Sequence, residues 1–177
     1  GQAFNQVHEA IVAAGIAVAL KEIYEYFASC AQASMDFESA ITGVAKTTDL
    51  TDEELAAMSD SIKALSTEIP ATTEEIAAVA EAAGQLGIQK DALLDFTEIM
   101  TMLGTATNMT ADEAATSLAR FANITGMATD NYGRLGSVIV DLGNNFATTE
   151  KPIMEMAHRM AGAGKQVGLT EAQVLGF

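Results

Sequence analysis

The sequence predicts an all-α fold: one long N-terminal amphipathic helix, then short capped helices in repeated αα-hairpins, as a bundle or a solenoid. Three observations predict it. Apolar residues recur at steps of three and four, and no stretch shows the alternation of a strand. Only two prolines, Pro70 and Pro152, interrupt 177 residues, which suits long helical runs. Apolar residues make up 49 %, yet aromatics are 6 % and Trp is absent, so the core is built from small side chains that let helices approach closely.

Residues 1–46 form the first element. Ile16, Leu20, Ile23, Phe27, Cys30, Ser34, Phe37 and Ile41 alternate steps of four and three. Phe4, Val7, Ile11, Ala14 and Val18 do the same in another frame, with the change near Gly15. Such a stripe buries a narrow seam against another helix. It predicts one long helix, bent where the frame drifts. Either a partner chain or the helix's own domain covers the seam.

Residues 47–177 form a second module of shorter helices. A threonine followed three residues later by Glu or Gln is a capping box, in which hydroxyl and carboxylate satisfy two orphan amides reciprocally. It occurs at Thr51/Glu54, Thr72/Glu75, Thr110/Glu113 and Thr170/Gln173. A fifth start, near Thr148, keeps Glu150 but has Lys151 in the last place, with Pro152 in the first turn. Thr72, Thr110 and Thr148 lie 38 apart. Gly87, Leu93, Phe96, Met100, Leu103 and Gly104 map by 39 onto Gly126, Tyr132, Leu135, Ile139, Leu142 and Gly143. Each unit is therefore a helix, a glycine turn, a second helix and a glycine stop, an αα-hairpin repeated in sequence. A third copy carries Gly168, Leu169, Val174 and Phe177 at a shift of 42, which leads us to expect a fragment of a longer chain.

None of the reactive residues assembles into a recognisable centre. The stretch GQLGIQK from Gly84 lacks the strand, the further glycines and the Lys-Ser/Thr of a phosphate loop, and reads as a helix hinge. His8 and His158 sit in no HExxH arrangement, and Cys30 has no CxxC partner, so no metal is expected. Cys30 falls on the apolar stripe as a small core residue; His158 is placed on a polar face with Glu155 and Arg159. Asp52, Glu53, Glu54, Glu74, Glu75, Asp112 and Glu113 lie in first turns, where carboxylates complement the helix dipole. Met100, Met102, Met109, Met127, Met154, Met156 and Met160 are expected mainly to fill the core rather than a binding groove. No catalytic, cofactor-binding or metal site is therefore expected.

Charge and hydropathy narrow the partners. The net charge is −15, of which −12 falls in residues 49–113, so this segment repels nucleic acid. The single cysteine excludes an internal disulfide framework and fits a reducing compartment. The most apolar run, residues 10–20, is too short to span a bilayer, and no signal-peptide order precedes it.

Four blocks carry a family resemblance: MDFESAITGVAKTTDLTDEELAAMS (35–59), STEIPATTEEIAAVAEAAGQLGI (66–88), ADEAATSLARFANITGM (111–127) and RLGSVIVDLGNNFATTEKPIMEMAHRMAGAGKQVGLTEAQVLG (134–176). In that order they resemble the core region of phage tail tape measure proteins, over about residues 35–177. The resemblance implies a structural, non-enzymatic virion protein. It would lie in the tail lumen, determine how far the tube polymerises, and leave at DNA ejection after assembly in the bacterial cytoplasm. The partners implied are further copies of the chain as a trimer or other oligomer, the tail tube protein, tail assembly chaperones and tail-tip proteins. No specific nucleic-acid binding is implied for this segment, and membrane contact only through other parts of a full chain. A ruler is extended, whereas capped short helices are compact. Residues 47–177 are therefore expected to act in assembly, initiation or exit rather than in measuring. Two other readings stand beside this one: a helical-repeat adaptor that binds a partner protein, and a membrane-active helix over residues 10–20.

Overall fold

The computed structural model describes residues 2–146 and 148–176, without the side chains of residues 2–11, 13 and 16. The described residues contain helices and no strand. Two compact units result, Gly1–Ser39 and Ala40–Phe177.

Helix α1 (Gln2–Thr47) supplies the first unit and the opening of the second. It contains no proline and continues through Gly15. It ends where Thr47 and Thr48 turn their hydroxyls back onto the carbonyls of Gly43 and Val44, the latter at 2.7 Å from Thr48. Within the first unit Leu20, Ile23, Phe27, Cys30 and Ser34 are exposed. Cys30 is thus a free surface thiol, not the core residue expected from its place on the stripe. Phe4, Val7, Ile11, Ile16 and His8 have side chains outside those described, as does all of Phe177.

The second unit continues with α2 (Asp52–Glu68), α3 (Thr73–Gln85), α4 (Lys90–Ala106), α5 (Ala111–Thr125), α6 (Tyr132–Asn145), α7 (Glu150–Gln166) and the short α8 (Glu171–Leu175). All four expected capping boxes form, on α2, α3, α5 and α8. Helix α7 instead begins at Thr149, one residue later than expected, and its threonine hydroxyl caps nothing. Asn108 reaches that hydroxyl from the α4–α5 link, at 3.1 Å. Each recurring glycine, Gly87, Gly126 and Gly168, has a φ between +75° and +79°. There an L side chain would meet its own backbone, so glycine is required. The next amide bonds back to the carbonyl five residues earlier, as Ile88 does to Ala83 and Met127 to Ala122. That closes a Schellman-type stop.

The other glycines work differently from the expectation. Gly84 is helical; a Cβ there would lie 2.8 Å from the Thr47 carbonyl oxygen. Gly104 and Gly143 do not stop their helices, which run on to Ala106 and Asn145. Gly104 lets the Ala111 backbone approach, and Gly143 makes room for the buried Glu150 carboxylate.

These elements stack in two layers. Helix α3 packs on α5 and α5 on α7, as α2 does on α4 and α4 on α6. Helix α6 rests chiefly on α4 and α7, and a 3-10 turn at Thr129–Asn131 precedes it. The result is a solenoid-like array whose core is Ile62, Ile76, Leu93, Phe96, Met100, Leu118, Phe121 and Ile139, each 1 % exposed or less. Alanines at Ala77, Ala80, Ala83, Ala114, Ala115 and Ala119 fill the crossings, so thin helices pack at short range. Phe96 meets Tyr132 edge to face, with ring centroids 4.9 Å apart. Thr97 and Thr101 are buried in α4, but their hydroxyls donate to carbonyls one turn back and leave no orphan.

Candidate interaction surfaces

The acidic residues assemble at helix starts, as their sequence positions imply. Asp52, Glu53 and Glu54 open α2, Glu74 and Glu75 open α3, and Asp112 and Glu113 open α5. Two of them also join helices within a layer. Glu54 accepts from its own N-cap amide with one oxygen and from Lys90, the first residue of α4, with the other at 2.7 Å. Glu113 does the same with the Thr110 amide and with Lys151 of α7. Lys151, in the first turn of α7, thus ties α7 to α5.

These contacts set the local titration. The Lys90 ammonium, then the Thr51 amide, hold the Glu54 carboxyl down at about 2. Lys151 and the Thr110 amide likewise lower Glu113, and both lysines are pushed up by their carboxylates. A general acid at neutral pH needs the opposite shift. These carboxylates are arranged to cap and tie helices.

His158 departs from the expected polar face. It is half-buried, with its ring edge-on to Phe121 at 6.4 Å between centroids. Burial, then the nearby Arg120 charge, pushes its pKa below the ordinary value. Glu155 and Arg159 remain exposed. No group of three or more His, Cys, Asp or Glu among the described residues could hold a metal ion. No helix is long and apolar enough to cross a membrane, again among the described residues. The methionines divide: Met100, Met109 and Met154 are core, whereas Met102 and Met156 are exposed.

Exposed apolar side chains gather in two places. One is α1, where Leu20, Ile23, Tyr24, Tyr26 and Phe27 are each more than half exposed. The other is a groove of 380 Å³ in the second unit, lined by Leu142 and Phe146 of α6 and its C-cap, Pro152, Met156 and Met160 of α7, and Leu175 of α8. Sequence reasoning found the first through its spacing. It missed the second, because Met156 and Met160 were assigned to core filling. Exposed apolar patches are where proteins meet other proteins, membranes or ligands, so these two are the candidate surfaces.

Residues 59–177 match the model of a family described as phage-related minor tail protein. No curated protein and no solved structure matches the chain.

Proposed function

We propose a tail-length role from one premise: this chain belongs to the phage-related minor tail protein family. On this reading it is a structural tape measure protein that helps set tail length, assembles with the tube, and leaves it at ejection. It resides in the tail lumen and, before that, in the host cytoplasm. It carries out no catalysis. Its partners are further copies of itself, as a trimer or other oligomer, with the tail tube protein, the assembly chaperones and the tail-tip proteins.

The observation that carries the reading is the pairing of two kinds of structure in one chain. Helix α1 runs 46 residues with exposed apolar side chains along it. At a 1.5 Å rise per residue it spans about 70 Å, an element that can convert residue number into length. Residues 47–177 are the contrary case, short helices folded into an array, and act in assembly, initiation or exit. The test is an in-frame duplication of residues 12–34 in the phage gene. Tails longer by about 35 Å, at the helical rise, are expected. Tails of unaltered length would reject a measuring role for α1.

The helical-repeat adaptor is kept as the alternative, because the exposed groove on the array offers a partner surface without any measuring function.

A further inference from the structure

In the first unit, residues 17–36 of α1 are exposed throughout. A helix in water draws most of its stability from a covered apolar face. The apolar stripe of this stretch is Leu20, Ile23, Phe27, Cys30, Ser34 and Phe37, of which Phe37 is already half-buried. Its steps alternate three and four, beginning and ending on three. Reversed about the point between Ala28 and Ser29, the stripe therefore falls on itself: position 20 on 37, 23 on 34 and 27 on 30.

The side chains at those positions suit the reversed pairing. Phe27 meets Cys30 and Ile23 meets Ser34, so in the four central layers a large group faces a small one. In a parallel, in-register pair Phe27 would face Phe27 and Ser34 would face Ser34, crowding one layer and emptying the other. A parallel pair staggered by one heptad leaves each stripe overhanging, whereas the reversed pair closes on itself with two-fold symmetry. The flanking residues Ala19, Tyr24, Tyr26, Ala31 and Ala33 carry no charge, so the seam sets no repulsion between copies of this acidic chain. In the reversed pair Tyr24 lies beside Ala31 of the second copy, and Tyr26 beside Ala33. Tyr24, Tyr26 and Phe27 are 74 %, 67 % and 66 % exposed. At about 150–250 Å² for a buried ring, two copies offer roughly 600–1,000 Å² from these rings alone. That approaches the ~1,000 Å² that a specific interface needs.

We propose that two copies of this chain pair antiparallel through residues 20–37 of α1, with the two-fold axis passing between Ala28 and Ser29. This rests on the self-association named under the proposed function; the direction and register are additional to it and fail separately.

The test uses the whole 177-residue chain. Sedimentation equilibrium is expected to give a dimer. Phe27→Asp should raise its dissociation constant about tenfold or more, since it buries an unpaired carboxylate. Direction is read by double electron–electron resonance between spin labels on Glu22→Cys, Ser29→Cys or Asp36→Cys, each made with Cys30→Ser, which keeps a small side chain facing Phe27. These three positions are exposed and lie a heptad apart on one side of the helix. At 1.5 Å per residue, the reversed pair separates the two labels along the axis by about 2 Å at position 29, but by about 20 Å at positions 22 and 36. A short distance for Ser29→Cys and longer ones for the other two are therefore expected. Circular dichroism melts verify that every variant folds. Equal distances at all three positions mean a parallel pair and overturn the proposal, with self-association left intact. A trimer, or a dimer that Phe27→Asp does not weaken, overturns it in the same way. A monomer at all concentrations overturns both the proposal and the self-association.

Discussion

Single residues carry most of what holds the array in register. Three glycines at positive φ end helices, while Gly84 sits where Thr47 and Thr48 leave no room for a methyl group. Gly126→Ala should therefore cost about 1–2 kcal/mol, the penalty of left-handed backbone. Gly84→Ala should cost about 1–3 kcal/mol by overpacking, since the Thr47 carbonyl cannot swing aside. Gly162, with open space around it, makes the control: Gly162→Ala should stabilise by about 0.5–1 kcal/mol. Thermal or urea melts read all three. Thr110→Ala removes an N-cap and should cost about 1 kcal/mol in the same assay. The Glu54–Lys90 pair makes a pH prediction. A carboxylate whose folded pKa is lowered contributes stability that is present above its unfolded value. That contribution is lost as pH falls from about 4.5 through about 2. It should shrink with added salt, since the pair is exposed. Carboxyl NMR should show Glu54 titrating higher in Lys90→Met. It should stay below 4.5, because the Thr51 amide still bonds it.

At the scale of elements, the sequence was most legible where causes are local. A threonine and a glutamate three residues apart contain the whole of a capping box, so four were found correctly. The hinge glycine was legible through its recurrence. Gly104 and Gly143 were misread as stops, because what they accommodate, Ala111 and Glu150, lies in the next helix. The start of α7 moved from Thr148 to Thr149, and only that register shows which α7 residues face outward. Spacing likewise revealed the α1 stripe but not what covers it: Phe27 and Cys30 are exposed here. If the stripe is a self-association seam, Phe27→Asp should lower the oligomer mass in sedimentation velocity while far-UV helicity of the array persists. Phe96→Ala is the opposite case. It empties the centre of α4 against Tyr132 and should cost about 3–5 kcal/mol in urea unfolding.

For the whole molecule, charge and architecture point the same way. The net charge is −15, and seven of the 24 acidic residues open α2, α3 and α5, where they serve helix ends. The carboxylates with resolved shifts are lowered, and they are engaged in helix ends. Membership of a phage minor tail family then gives such an array a place in a virion. The proposed role of residues 47–177 is that of a folded module in tail assembly, initiation or exit, not of a stretch of ruler. The most direct measurement is electron microscopy of tails made by phage with those residues deleted in frame. Failed assembly or non-infectious particles are expected. Viable phage with tails shortened in proportion to the deletion would contradict it.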